Sequence, residues 1–334
     1  MSAAAPAVRK PEFTLTLGSG SASDWQDLVA SISVDVGLAP AVDVAEIVVS
    51  SRAPAVKLGD TVDVMLGFED DPPGAVLTGV VHSVHHTVGG TTRVVASDCG
   101  AALAAFRADQ GYEQQSAGDV VRDLATKAAV SVGSVDDGPS LPYYVVDSRS
   151  TAWEHVARLA ELSGFAAWAG VSGELVFGPL GTGAPSKTFT YGQDVLEFDA
   201  LEAAPLPGEV VVVGEGAAGS QGSDAWNWTV NDAVPVTGSG GSGDPLALLQ
   251  LGALRSADAL NGAAQGVAAT AKLGALTARL LVPGTPDAAV GLPVAVTGAP
   301  DATLNGSWIV RGVRHRLVKT RGYTSLLLLA KAGP

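Results

Sequence analysis

The segment from Ser307 to Leu329 constrains the fold more than any other part of the sequence, because it has the pattern of a β-hairpin. Alternating apolar residues from Trp308 onwards precede a short polar turn, and Tyr323 with a run of leucines follows it. The Asn305–Gly306 dipeptide in front of the segment is typical of a tight turn. A further apolar strand, 290–298, comes before that turn. The C-terminal region is therefore predicted to contain three successive strands.

The first hundred residues show the same alternation in shorter pieces. Phe13–Leu17 and Ile32–Val36 alternate apolar with polar side chains, as half-buried strands do. Turns are predicted at 57–60, at Gly89–Gly90 and at Asp70–Gly74, where Asp, Pro and Gly supply turn conformations. Short strands with this punctuation are typical of a small β-barrel. Further strands are predicted at 46–50, 61–68, 77–86 and 91–96.

Two amphipathic helices are predicted after this β region. Ser116–Asp119 and Thr151–Glu154 each have the form of a capping box, in which a hydroxyl and an acidic side chain bond to the free amides at a helix start. Gly164 predicts the end of the second helix, because glycine readily adopts a left-handed conformation. A hairpin over 165–177 follows.

The remainder of the sequence predicts more β structure, interrupted by an insertion. Residues 216–245 are rich in Gly and Ser and predict a flexible loop. Residues 257–270 predict an Ala-rich helix, and the closing strands begin at Thr277. Earlier strands of this region are predicted at 188–191, 195–200 and 209–215.

Together these patterns predict a mainly β fold with an α+β middle region. Two small β-barrels, residues 1–105 and 186–334, are joined by a two-helix and hairpin segment at 106–185. The second barrel is predicted to be split by a flexible and helical insertion at about 216–275.

The charge balance argues against a nucleic-acid partner. The formal net charge is −14, and phosphate contacts need clustered Lys and Arg. The one basic cluster lies on the C-terminal hairpin, where it forms either a solvated face or a polar protein interface. Arg314 and Arg316 are its candidate partner-binding residues. The full cluster is Arg311, Arg314, Arg316, Lys319 and Arg321.

Trp226 and Trp228 are further candidate partner-binding residues, since they stand in the Gly-rich insertion. Two exposed tryptophans would suit a contact with another protein. Burial against the chain's own barrel is the alternative.

Neither a membrane-spanning segment nor an export signal is predicted. The first thirteen residues lack the apolar core of a signal peptide, and no apolar run approaches the length of a membrane span. We therefore expect a protein that is made in the cytoplasm without a signal peptide and has no membrane partner.

No metal, cofactor or catalytic residue is predicted. His82 and His86 are expected on one face of a strand and His85 on the other, so three ligands would not converge. The single cysteine, Cys99, excludes an internal disulfide and predicts an inert thiol. No phosphate-binding loop or nucleophile motif is present.

Paired carboxylates leave one enzymatic alternative open. Pairs of acidic residues can hydrolyse glycosides, although Asp is also ordinary in turns. The alternative is a β-rich, tail-associated cell-wall hydrolase or glycan-binding protein. The pairs are Asp70–Asp71, Asp136–Asp137, and Glu197 with Asp199.

The order of several motifs resembles that of tail hub proteins of contractile injection machines. The family includes the late control protein D group of phages and the hub part of VgrG proteins. The resemblance rests on the turn Leu58–Asp60, the strand start Thr78–Val81, the helix start Ser116–Val121, the helix and hairpin 150–177, and the hairpin 307–329. It extends over roughly residues 13–330.

The resemblance implies a structural protein rather than an enzyme. Such hubs are homotrimers that carry two similar barrels per chain, so that three chains form a pseudo-sixfold ring beneath a sixfold tube. The implied partners are the inner tube protein, baseplate wedge proteins and a spike. We expect the spike to be a separate protein, because Pro334 follows the last hub strand directly. The implied location is the baseplate of a phage tail, tailocin or extracellular injection particle.

Overall fold

The computed structural model describes residues 9–204, 207–214, 236–252, 254 and 256–331. It is mainly β with helices in the middle region, which confirms the predicted fold class. The helices are α1 (Ala22–Trp25), α2 (Cys99–Ala105), α3 (Ala117–Lys127), α4 (Ala152–Ser163) and α5 (Ala257–Leu273). The strands are β1 (Pro11–Leu17), β2 (Val29–Gly37), β3 (Val44–Ser50), β4 (Thr61–Phe68), β5 (Asp71–His86), β6 (Thr91–Ser97), β7 (Gln110–Ser116), β8 (Val132–Val135), β9 (Ser140–Val146), β10 (Ala166–Ala169), β11 (Leu175–Gly178), β12 (Thr188–Thr190), β13 (Glu197–Glu202), β14 (Glu209–Gly214), β15 (Val236–Gly241), β16 (Leu246–Gln250), β17 (Leu276–Pro283), β18 (Pro293–Thr297), β19 (Gly306–Val318) and β20 (Gly322–Lys331).

The N-terminal unit consists of six antiparallel strands in the order β1-β4-β5-β6-β3-β2. Alternate side chains of each strand enter one core, as the period-2 pattern predicts. Leu15, Ile32 and Ile47 are fully buried there. The strands therefore curl around a single apolar centre.

The C-terminal unit has its own core. Strand β20 lies between β19 and β17, β13 pairs with β17, and β18 lies between β12 and the first half of β19. Phe189, Trp308 and Leu327 are buried in its centre. The indole Nε1 of Trp308 donates a hydrogen bond to the carbonyl of Leu304 at 2.9 Å, so this large side chain is buried without an unpaired donor.

Five strands of each unit are equivalent in order and pairing. The order β4-β5-β6-β3-β2 in the N-terminal unit corresponds to β18-β19-β20-β17-β13 in the C-terminal unit. A β-bulge interrupts β5 between Val81 and Ser83, and the corresponding bulge interrupts β19 between Val310 and Gly312. Bulges fix register, so the match aligns the two units residue by residue.

Individual hydrogen bonds follow the same equivalence. Gly59 and Gly291 have φ angles of 87° and 86°, a region that favours glycine, and they lie just before the equivalent strands β4 and β18. Their amides donate to the carbonyls of Val81 (3.0 Å) and Val310 (2.8 Å), which are equivalent residues. The two units therefore repeat the same turn as well as the same topology.

The predicted turn at Asp70–Gly74 is wrong over most of its length. Strand β5 already begins at Asp71, where it pairs with Phe68. The ladder between β4 and β5 shifts register between Leu66 and Phe68. Pro72 and Pro73 lie in that irregularity, where proline's missing N–H interrupts no regular ladder.

The predicted flexible loop at 216–245 is also wrong over residues 236–241. Residues 236–241 form β15, which pairs with β14. A Cβ on Gly238 would lie 2.2 Å from the Leu260 backbone carbon, and one on Gly240 would lie 2.4 Å from that of Ala264. These glycines let α5 approach the sheet closely, so their role is packing rather than flexibility.

The middle region forms the predicted capped helices. The amide of Thr151 donates to Glu154 Oε2 at 2.7 Å, and Gly164 ends α4 with a φ of 67°. The core of α3 and α4 extends into β14 and the described part of the insertion, where Val212 and Leu260 join Trp153. The insertion therefore packs on the middle region.

The loop between β2 and β3 connects the N-terminal unit to the middle region. The amide of Ala39 donates to Ala167 at 2.8 Å, and the indole of Trp153 donates to Ala41 at 2.9 Å. Asp43 lies buried behind this loop, and its Oδ1 accepts from the Gly37 amide at 2.8 Å. Burial raises the pKa of Asp43 to about 8, with a further increase from the nearby Asp98 carboxylate.

We predict that Asp43→Asn stabilises the protein at alkaline pH. The raised pKa means that the folded protein binds this proton more tightly, so stability from this group falls as pH rises from 3.8 to about 8. At about 1.4 kcal/mol per pKa unit, the variant should exceed the wild type by more than about 1 kcal/mol at pH 8 and by little at pH 4. Thermal unfolding at both pH values tests this, with the exposed Asp27→Asn as the control. An equal effect at both pH values would contradict it.

Candidate assembly surface

One antiparallel strand pair joins the two units into a single sheet. Residues 312–318 of β19 pair with 31–37 of β2, with Arg314 opposite Asp35 and Leu317 opposite Ile32. We call this pairing the β2–β19 seam. Strand β19 therefore belongs to the C-terminal unit through its first half and borders the N-terminal unit through its second half.

The inner face of the seam is apolar. Leu317 and Tyr323 come from the C-terminal hairpin but are buried in the core of the N-terminal unit, at 2% and 3% exposure. The ring of Tyr323 packs against Phe68 at a centroid distance of 5.5 Å. The two units therefore share hydrophobic contacts as well as backbone hydrogen bonds.

His315 has a structural position in this seam. It is 3% exposed, and its Nδ1 lies 2.9 Å from the Tyr323 hydroxyl and 3.0 Å from the Ser325 hydroxyl. Burial lowers the pKa of His315 to about 3, so the ring is neutral near pH 7. The equivalent His86 Nδ1 lies 3.3 Å from Thr92 Oγ1. His315 therefore packs in the seam and forms hydrogen bonds there.

The outer face of the seam carries the predicted arginines. Arg314 and Arg316 are both exposed, as the alternation of the strand predicts. Arg314 forms an ion pair with Asp35, whereas Arg316 lies opposite Ser33. Arg316 has no acidic side chain within ion-pair distance among the described residues, which leaves its charge available to another protein.

The other predicted partner-binding residues, Trp226 and Trp228, lie outside the described residues. Their proposed role therefore remains a prediction.

Two of the three acidic pairs contain a carboxylate that is ion-paired with an arginine. Arg9 forms an ion pair with Asp70 at 3.0 Å, and Arg122 forms one with Asp137 at 2.7 Å. Burial raises the pKa of the Cys99 thiol to about 12, which fits an inert side chain. Within the described part of the chain, no three His, Cys, Asp or Glu side chains are placed to bind one metal ion.

No helix in the described residues has the length and apolar character needed to cross a membrane.

Solved tail proteins share this architecture over nearly the whole chain. The tail protein of Neisseria meningitidis MC58 is 17% identical with a TM-score of 0.74, and the alignment covers 97% of each chain. The 43 kDa tail protein of prophage MuSo2 from Shewanella oneidensis is 14% identical with a TM-score of 0.72, covering 96% of this chain and 98% of that one. The chain therefore has the fold of a phage tail protein.

A further neighbour comes from a secretion machine. It is an Escherichia coli component of the type VI secretion system with described similarity to bacteriophage tail proteins. It is 11% identical with a TM-score of 0.57, covering 97% of this chain and 77% of that one.

Residues 41–213 match the family model described as the Alg8 N-terminal domain. The matched segment is more than half of the chain, so the chain belongs to that family. No curated protein matches the sequence.

We predict that the inner face of the seam contributes most of its stability. Leu317→Ala should reduce the free energy of unfolding by about 2–5 kcal/mol, because it leaves a cavity in the N-terminal core. Arg314→Ala should cost less than about 1 kcal/mol, because its ion pair with Asp35 is solvent-exposed. Urea unfolding at one fixed protein concentration measures both, with Leu328→Ala as an exposed leucine control. A Leu317 effect no larger than that of Leu328 would contradict the assignment.

Proposed function

We propose that this chain is the hub of a contractile injection machine, a homotrimeric adaptor between the hexameric inner tube and the central spike. The observation that carries the proposal is the duplicated unit: two equivalent sets of strands lie in one continuous sheet within one chain. The tail-protein fold supports the same reading, since related architecture occurs in phage tails and in a secretion machine.

Two equivalent units per chain would let a trimer connect a sixfold tube to a threefold spike. A tube with six subunits per ring presents six equivalent surfaces, whereas a spike with three chains presents three. Three copies of a chain with two equivalent units offer six similar surfaces on one side and a threefold arrangement on the other. The repeat of Gly59 and Gly291, with the same φ and the same hydrogen bond, favours units that are equivalent in detail.

The chemistry of the described residues favours a structural role over hydrolysis. The carboxylates of Asp70 and Asp137 pair with arginines. The buried His315 bonds to Tyr323 and Ser325 rather than facing a substrate. These side chains stabilise the fold, and none has the arrangement of a nucleophile with its base.

Partner contacts are assigned to two places. Arg314 and Arg316 on the outer face of the seam would meet an acidic surface of the inner tube, spike or baseplate wedge proteins. Trp226 and Trp228 would provide apolar contacts. The resulting hub would be incorporated in the baseplate of a phage tail or injection particle.

We predict that the purified chain, alone or with its spike protein, has a mass near three times 33.5 kDa for the hub component. Light scattering coupled to size exclusion, over a range of concentrations, measures this. A stable monomer that neither assembles nor binds the spike would contradict the hub proposal.

We also predict that Arg314→Gln with Arg316→Gln weakens binding to the tube, spike or wedge proteins by at least tenfold, which corresponds to about 1.4 kcal/mol. The loss of charge on an exposed face should leave unfolding nearly unchanged. Arg52→Gln with Lys57→Gln is the matched control, since both side chains are exposed and the change in charge is the same. Equal binding to all three partner classes by the two double variants would contradict the assignment of this face.

A further inference from the structure

Two of the strand edges that have no paired neighbour in the described structure lie on β13 and on the second half of β5. Strand β13 pairs with β17 on one side only. Residues 83–86 of β5 pair with β6 on one side, while their other side borders no described strand. Exposed strand edges present unpaired N–H and C=O groups and invite pairing with another strand.

These two edges are equivalent to the two strands of the β2–β19 seam. The ladders align β13 with β2, so that Asp199 corresponds to Ser33 and Leu201 to Asp35. The bulges align β5 with β19, so that His85 corresponds to Arg314. The chain therefore contains one closed seam and, on β13 and on the second half of β5, the two halves of a second seam.

Side chains on the β5 edge are more exposed than the equivalent side chains of β19, as expected for a strand whose partner is missing. On β19, which pairs with β2, Val313 and His315 are buried, whereas the corresponding Val84 and His86 of β5 are partly or fully exposed. Beyond His86, Val88 is fully exposed, whereas the corresponding Leu317 is buried in the neighbouring unit. The β5 edge thus exposes apolar side chains, whereas the equivalent side chains of β19 are buried.

Strand β13 shows the same difference. Ile32 and Val34 of β2 are 0% exposed, whereas the corresponding Phe198 is half-buried and Ala200 is exposed. Leu201 is 65% exposed, although it is an apolar residue in a strand. An apolar residue on an open strand edge is a typical site of strand addition.

The two edges differ in charge. Strand β13 is acidic, with Glu197, Asp199 and Glu202 all exposed. On the β5 edge His85 is exposed and lies opposite Arg93 of β6, which is ion-paired with Glu46. Where the closed seam has the ion pair between Asp35 and Arg314, the equivalent residues of the two edges are Leu201 and His85. Complementarity between the edges therefore rests on backbone pairing and apolar contacts.

We propose that β13 of one copy pairs antiparallel with residues 83–88 of the next copy, reproducing the β2–β19 seam between chains. Leu201 then lies opposite His85, and Phe198 covers Val88. The contact joins different surfaces of the two copies, so it is heterologous, and in a trimer three such contacts close a ring. This inference deepens the proposed hub and relies on it only for the number of copies, which is three.

Site-specific cross-linking tests the pairing. In a Cys99→Ser background, Leu201→Cys and His85→Cys are combined in one chain and treated with a short bismaleimide. The result expected is a covalent trimer under denaturing conditions. A mixture of the two single variants should give covalent dimers only, because each mixed ring has one site where the two cysteines meet. The control is Leu201→Cys with Val145→Cys, since Val145 is exposed but lies on neither edge.

The outcomes separate the inference from the hub proposal. Trimers by light scattering without cross-linking beyond the Val145 control would overturn the β13–β5 pairing and leave the hub proposal intact. Specific cross-linking in a ring of another size would retain the pairing and overturn the trimer.

A charge inserted at the edge gives a second, independent test. Val88→Asp should raise the concentration needed for assembly at least tenfold, whereas Val145→Asp should not. Because Val88 is fully exposed in one copy, the monomer should fold and keep its circular dichroism spectrum. Unchanged assembly of the Val88 variant would overturn the inference.

Discussion

The pairing of β2 with β19 is the constraint on which the rest of the structure depends. It joins strands that are nearly three hundred residues apart in sequence and makes one sheet from two units. Leu317 and Tyr323 cross this seam into the core of the N-terminal unit, so that core is not made only from the unit's own strands. The helical middle region and insertion then pack beside the units, where the loop after β2 and the contact of Trp153 with Ala41 hold them. The seam therefore determines how the whole chain is arranged.

Local signals account for what the sequence predicts well. Capping at Ser116 and Thr151, the left-handed Gly164 and the turn before β19 each depend on a few neighbouring residues. The turn at Asp70–Gly74 and the loop at 236–241 were mistaken because the decisive contacts are distant. Pro72 and Pro73 follow a bulge set by β4, and Gly238 and Gly240 are dictated by the backbone of α5. Helix α2, which Asp98 caps, escaped prediction because its short Ala-rich sequence follows a strand directly.

Only part of the candidate site could be predicted from the sequence. Alternation along β19 places Arg314 and Arg316 on the solvent face. It does not reveal that Asp35 lies opposite Arg314, because strand register across the seam is fixed by side chains and bulges far apart in the chain. The equivalence of β13 with β2, and of His85 with Arg314, also requires the register of every intervening strand. Such a repeat exists in strand order and hydrogen bonding, while the residues themselves have diverged: Asp35 corresponds to Leu201.

The central claim is that two equivalent units and one kind of seam generate the assembly. A reconstruction of the assembled protein by electron cryo-microscopy tests it most directly. The account predicts a ring of three chains with six similar seams, three of them β2–β19 within chains and three β13–β5 between chains. Three chains that meet only through their helical middle regions, with the β13 and β5 edges apart, would contradict it.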